Sequence, residues 1–263
     1  MGKELRDSQF RDSSNLQARG SLHGRFGSNL TPWFTWIFDQ LKIARGNRVL
    51  EVGCGPGTLW FPNLGRIPDA TFILSDFSAG MVTEAHKQLG TDHRFRFVVC
   101  DAQEIPLAEG TCDSVIANHV LFFMPNIPQA LSEIQRVLMP GGRFYATTNG
   151  AGHMPELGEL LTEFDPALLR AWEQGKALSP FDFETGQALL EPWFDAIQVI
   201  RYPDRLQVTD PAALAAYVLS MSSLVPTLSG HEDEFRRFVE RRVSEAQPFH
   251  ISKDAGMFSA IRK

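Results

Sequence analysis

The 263-residue sequence holds few cysteines, only Cys54, Cys100 and Cys112, and they form no Cys-x-x-Cys pair. An odd, scattered set excludes a disulfide framework and fits free thiols in a reducing compartment. The seven histidines include no His-x-x-x-His pair and nothing clusters at ligand spacing, so no metal site is expected. Positive charge is in deficit: 25 Lys and Arg stand against 31 Asp and Glu, a net charge of -6. A surface that tracks nucleic-acid phosphates needs the opposite balance, so nucleic acid is not an expected partner. No apolar run reaches the ~18 residues that suggest a membrane span. The opening Met1-Gly2-Lys3-Glu4-Leu5-Arg6-Asp7 is too charged for a signal peptide, and Arg6 stands where a myristoylation signal wants Ser or Thr. These absences lead to the expectation of a cytoplasmic protein. Internal repeats and low-complexity tracts are missing too, and the length suits one well-cored domain with elaborations.

What the chain does have is a glycine cluster at the end of an apolar run. Val49, Leu50 and Val52 read as a buried strand that stops at Gly53, Gly55 and Gly57, with a helix expected from Thr58. Three glycines in five positions let the backbone turn sharply and leave no Cβ between it and a ligand. A phosphate-cradling loop would need Gly-Lys-Ser/Thr, which the chain does not contain. A dinucleotide fingerprint would put its third glycine where Thr58 stands. Glu51 would also set a carboxylate close to a pyrophosphate, which disfavours a dianion and tolerates a cation. The pattern Glu51-x-Gly53-x-Gly55-x-Gly57 is instead the form that meets S-adenosylmethionine (SAM), a sulfonium cation without phosphate.

This stretch resembles motif I of the class I SAM-dependent methyltransferases, nearest the methyltransferase type 11 and ubiquinone–menaquinone biosynthesis group, and residues 45–149 extend the likeness. The resemblance implies an α/β fold: a doubly wound, seven-stranded, mostly parallel sheet with its last strand antiparallel and with helical cap insertions. It implies methyl transfer from SAM to a small molecule, with S-adenosylhomocysteine as product. Thr71–Asp76 reads as a second strand, and an acid about 20 residues past a glycine loop can accept both ribose hydroxyls. Phe77 could offer adenine an apolar face. Ser78 caps a helix running to Leu89, with Val82, Ala85 and Leu89 inward. A third strand, Phe95 to Cys100, leads to Asp101-Ala102-Gln103. The resemblance implies that Asp101 meets the adenine amine and the following backbone reads the ring edge; a plain surface Asp closing a strand is the alternative. A fourth strand, Asp113 to Asn118, delivers Asn118 and His119 to the neighbourhood of the methyl group. His119 is either a general base, since its ordinary pKa lies near neutrality, or a part of the pocket wall. The resemblance adds Glu51, Gly53, Cys54, Gly55 and Met81 to this cofactor site.

Elsewhere the signals are structural. Residues 1–20 lack periodicity and suggest a loosely docked arm. Residues 31–43 read as a helix capped by Thr31 with Pro32 in first position; Trp33, Trp36, Ile37 and Leu41 share a face, for packing or as a lid. Residues 1–44 thus form an arm and lid helix, and 45–263 the core. Further helices are expected over 128–138, 155–172, 184–191, 212–221 and 232–246, and strands over 143–148, 194–201 and 257–262. Insertions at 150–181 and 204–250 fall where a doubly wound sheet binds ligands, above the strands' carboxyl ends, and their apolar content suggests an acceptor of apolar character. Arg25 is a candidate partner for the SAM carboxylate, and His250 and Lys253 could reach the site. A nicotinamide oxidoreductase, which Thr58 and Glu51 disfavour, and a non-catalytic SAM-binding protein are the rival functions. The methyl acceptor and the oligomeric state are not legible.

Overall fold

The computed structural model describes residues 14–177, 181–244 and 246–263. Five strands, Arg48–Val52 (β1), Thr71–Asp76 (β2), Phe95–Val99 (β3), Cys112–Asn118 (β4) and Leu138–Asn149 (β5), pair in parallel. Phe194–Tyr202 (β6) and Ala255–Arg262 (β9) complete the sheet in the order β3-β2-β1-β4-β5-β9-β6, with β9 antiparallel to both neighbours. The expected sheet, its antiparallel last strand included, is present. Arg205–Val208 (β7) and Phe249–Ser252 (β8) form a separate antiparallel pair that the sequence did not announce.

Alternate side chains of β1 and β2 enter two different cores, as a two-residue strand period requires. Leu50, Val52 and Ile73 join one face with Leu131 and Ile134; Val49, Phe72 and Leu74 join the other with Trp60 and Leu89. Because both faces are covered, these strands are apolar runs without polar alternation. From β1 the chain winds outward to β3, then returns to place β4 on the other side of β1. The strand ends diverge at that reversal and leave a crevice, which positions the candidate site.

The helices in chain order are Ser14–Phe26 (α1), Trp33–Gln40 (α2), Ala79–Leu89 (α3), Ile127–Val137 (α4), Pro155–Phe164 (α5), Pro166–Ala177 (α6), Gly186–Leu190 (α7), Pro211–Leu219 (α8), Val225–Leu228 (α9) and Glu232–Arg242 (α10). Side-chain caps start four of them: Ser78 accepts from Met81 N, Asn126 from Gln129 N, Asp165 from Ala167 N, and Asp210 from Ala212 N and Ala213 N. A third core lies outside the sheet. It gathers Leu22 of α1, Leu157 of α5, Leu206 of β7, Val218 of α8, Phe235 of α10 and Ile251 of β8.

Four expectations need correction. No α-helix follows the glycine loop; a chain of turns with a 3-10 helix at Phe61–Asn63 takes its place. Pro62 cannot donate to a helix ladder, and the Asn63 side chain takes the Leu59 carbonyl at 2.7 Å, so the i→i−4 pattern is lost. The N-terminal arm is helical from Ser14, while residues 1–13 lie outside the described residues. Helix α2 is capped by Pro32 without a side-chain bond, and it ends at Gln40 because Leu41 turns extended. The helix expected over 155–172 breaks at Asp165 (φ -155°, ψ 118°), since Pro166 bars the helical conformation before it.

Candidate functional site

All three loop glycines hold positive φ: 68° at Gly53, 54° at Gly55 and 83° at Gly57. A Cβ on Gly53 would meet Val120 Cγ2 at 2.4 Å, and one on Gly57 would meet Leu89 Cδ1 at 2.7 Å. A Cβ on Gly55 would meet no atom within 4 Å beyond its chain neighbours. Gly53 and Gly57 are therefore demanded by the protein's own packing, and Gly55 alone faces open space. Its N–H donates to Asp76 Oδ2 at 2.9 Å, and Asp76 Oδ1 accepts from Ser78 N at 2.8 Å. Each carboxylate oxygen keeps acceptor capacity beyond those bonds, which suits a vicinal diol such as ribose. Burial raises the Asp76 pKa, against the pull of its N–H partners.

The remaining loop residues divide between wall and support. Phe77, beside Asp76, is 41% exposed. Cys54 and Met81 are buried; Cys54 N bonds Ser75 O and Met81 N bonds Ser78 Oγ, so their backbones brace the loop. Glu51 is buried beneath it, and its Oε2 accepts from Trp60 Nε1 at 2.5 Å. Burial pushes this carboxyl from its ordinary 4.5 up to about 8. The neutral acid therefore prevails at pH 7, which corrects the expectation of an anionic Glu51.

At the end of β3, Asp101 accepts from Gln103 N (2.9 Å) and from Gln103 Nε2 (3.1 Å), with Ala102 buried between them. Gln103 Oε1 accepts from Asn126 N and ties this turn to the start of α4. Cys100 N donates to Asp76 O, which joins the ends of β2 and β3.

Thr147 organises the end of β4. Its hydroxyl donates to Asn118 Oδ1 at 2.6 Å and accepts from His119 N at 2.8 Å. His119 sits at φ 50°, a left-handed conformation that a non-glycine residue adopts at a cost and that concentrates at functional sites. Its ring lies 5.3 Å from Trp33 and 5.9 Å from Phe122. Desolvation, with a smaller contribution from Lys253, lowers its pKa to about 4. It is a neutral acceptor at physiological pH and a weaker base than an ordinary histidine, so the base and wall roles both stay open.

A further group packs beside His119, and the sequence showed little of it. Trp33 stacks on Trp36 at 5.3 Å, and Tyr202 packs against both at 5.0 and 5.1 Å. Lys253 Nζ lies 5.2 Å from the Tyr202 ring centre and 2.6 Å from Asp204 Oδ2, in an ion pair whose side chains are only 6% and 2% exposed. Asp204 also accepts from Ser28 N and Asn29 N, and Tyr202 OH donates to Thr31 O, so the segment before α2 is fastened to the β6–β7 turn. Asp204 and Tyr202 carried no motif. Of the more remote candidates, Lys253 is brought in. His250 lies exposed on β8 opposite Gln207. Arg25 is engaged elsewhere, at 2.8 Å from Asp210, the cap of α8.

Among the described residues no group of His, Cys, Asp and Glu could hold a metal ion, and no helix is long and apolar enough to cross a membrane. Two surface hollows of about 610 and 450 Å3 lie among the cap helices and include no residue of the glycine loop.

Residues 50–146 match the family described as "Methyltransferase domain". That segment, with the sheet order and the glycine loop, is similar to the class I SAM-dependent methyltransferases. Among relatives, the chain is 32% identical to a malonyl-(acyl-carrier protein) O-methyltransferase of Enterobacter lignolyticus over 171 residues, 63% of this chain and 66% of that protein. It is 28% identical to methyltransferase GfsG of Streptomyces halstedii over 199 residues, 73% of this chain and 67% of that one. The chain therefore spans less than two thirds of the Enterobacter relative's length. In fold it is similar to Haemonchus contortus phosphoethanolamine N-methyltransferase 2 solved with SAM, at a TM-score of 0.63 and 17% identity, covering 99% of this chain and 59% of that one.

Proposed function

We propose that the protein is a SAM-dependent methyltransferase acting on a small-molecule acceptor. The observation that carries this is Gly55: its missing side chain faces open space and its N–H orients Asp76. Bound SAM supplies an electrophilic methyl group, displaced in line onto the acceptor to leave S-adenosylhomocysteine. The chain's own part is alignment and exclusion of water. Asp76 holds the ribose hydroxyls, Phe77 covers one face of adenine, and Asp101 with the 102–103 backbone meets the adenine edge. Glu51, Gly53, Cys54 and Met81 support these groups from beneath. Asn118 and His119 stand nearest the transferred methyl, where the neutral His119 ring can take a proton from a hydroxyl or amine acceptor.

Helix α1 with the described residues of 150–181 and 204–250 acts as the cap over the acceptor, an assignment supported by the separate core that α1, α5, β7, α8, α10 and β8 share, while α2 packs on the core of the sheet. Rings of Trp33 and Phe122 around His119 support an acceptor of apolar character. The free cysteines support a cytoplasmic setting. The methyltransferase names of the relatives support the activity, and neither rival function draws support from them. A screen for S-adenosylhomocysteine release over a metabolite library tests this: turnover with at least one acceptor, lost in Asp76→Ala, is expected. No release with any acceptor, although SAM binds, would leave a binding protein instead.

A further inference from the structure

Two threonines stand side by side in β5 and turn to opposite faces of the sheet, as the strand period requires. Both are buried. The Thr148 hydroxyl donates to Phe181 O at 2.7 Å, within the core. The Thr147 hydroxyl spends both its bonds on the end of β4, where Asn118 and Thr147 are paired in register.

A hydroxyl has one proton to give. At Thr147 it goes to Asn118 Oδ1 at 2.6 Å, within the usual O–H···O range. The amide is thereby set with its oxygen toward β5, and its Nδ2 has no partner among the described residues. The two ends of an amide are alike in shape, so this bond is what distinguishes them. The lone pair of the same hydroxyl takes the His119 N–H, and it does so where φ reaches 50°. Without that acceptor the strained turn would lose the bond that holds it.

The two residues so held are open to the crevice. Both are half-buried, and no polar side-chain atom of either is sealed from solvent without a partner. They also abut the glycine loop, since a Cβ on Gly53 would strike Val120, the next residue along.

We propose that Thr147 is a positioning residue for methyl transfer: its hydroxyl turns the Asn118 amide so that Nδ2 faces the crevice, and it holds His119 in the turn that sets its ring against Trp33. Thr147 acts through these two residues and touches neither cofactor nor acceptor. The proposal rests on the methyltransferase reading, which puts Asn118 and His119 nearest the transferred methyl.

The test compares the full-length wild type with Thr147→Val, which keeps the shape and loses both bonds, and Thr147→Ser, which keeps the hydroxyl. NMR of histidine-labelled protein saturated with S-adenosylhomocysteine reads the His119 ring, identified as the signal absent from His119→Gln. The wild type and Thr147→Ser are expected to share a signal displaced by the Trp33 ring current, and Thr147→Val to lose that displacement. With the library acceptor that gives the largest S-adenosylhomocysteine release, kcat should fall roughly tenfold or more in Thr147→Val and recover largely in Thr147→Ser. SAM affinity by calorimetry should stay within about threefold throughout, because the groups that hold the adenosine are elsewhere. Thr147→Ala also removes the hydroxyl and takes the place of Thr147→Val if that variant does not fold.

An unchanged ring signal in Thr147→Val, a Thr147→Ser variant as impaired as Thr147→Val, or a loss of SAM affinity equal to the loss of kcat would each overturn the assignment. If the wild type turns over no acceptor, the methyltransferase reading falls and takes this one with it. If turnover is present and Thr147→Val retains it, only Thr147 is wrongly assigned.

Discussion

At the carboxyl ends of β1 to β4 the groups proposed to hold the cofactor come from four short turns at their strands' ends: 53–57, 76–78, 101–103 and 118–119. The groups proposed to wall the acceptor come from residues 33, 202, 204 and 253, spread over most of the chain. The first set works largely through backbone: positive φ at Gly55, an N–H to Asp76, a turn closed by Gln103. The second works through side chains that meet only in the folded state, fastened by a buried ion pair. A cofactor common to a family can be held by geometry that local sequence specifies. An acceptor particular to one protein is held by residues that vary in place and type.

If the two sides are separable, injury to one should spare the other. The largest effect is expected from Lys253→Met, which leaves Asp204 buried without its cation and should cost about 3–5 kcal/mol of stability in urea unfolding. Below the transition, SAM affinity should persist; its parallel loss would erase the distinction. Gly53→Ala places a Cβ 2.4 Å from Val120 Cγ2 at positive φ and should cost ~2–4 kcal/mol. Gly55→Ala meets no protein atom and should cost only ~1–2 kcal/mol of stability while sharply weakening SAM, so equal effects at the two glycines would contradict the division between them. Asp76→Ala should weaken SAM by about 1.5–3 kcal/mol, measured by titration; unchanged affinity removes Asp76 from the site.

The smallest predicted effect is a dependence on pH. Glu51 titrates at about 8 in the folded protein against an ordinary 4.5, so the folded state binds the extra proton between those values. Its contribution to stability is full below 4.5 and is lost as pH rises toward 8. Over one pH unit near neutrality the loss is at most ~1.4 kcal/mol. Glu51→Gln keeps an acceptor for Trp60 and should lack this slope. His23 and His119, held at about 3 and 4, act with the opposite sign, since the unfolded chain takes up their protons below about 6.5. The difference between variant and wild type therefore isolates Glu51, and identical pH profiles would show that its carboxyl is not buried as described.

The legible parts of the fold were those with short-range causes. Strands β1 to β4, the Ser78 and Asp210 caps and the Asp76 position follow from signals within a few residues. Helix α1 escaped notice because Gly20 and Gly24 weaken its helical pattern and its anchor, Leu22, is buried only against distant elements. The missing helix after Thr58 turns on Pro62 and a side-chain bond from Asn63. Glu51 kept its place in the motif but not its assumed charge, because its partner is Trp60 and no cation reaches it. Lys253 and Asp204 are 49 residues apart, and Arg25 finds Asp210 across 185, separations over which a lone sequence carries no pairing signal.

The most direct measurement is a calorimetric titration of the full chain with SAM, with NAD in a parallel cell. Saturable binding of one SAM per chain, with no heat from NAD, is predicted. Silence toward SAM at millimolar concentration, or competition by NAD for the same site, would contradict the assignment of the glycine loop.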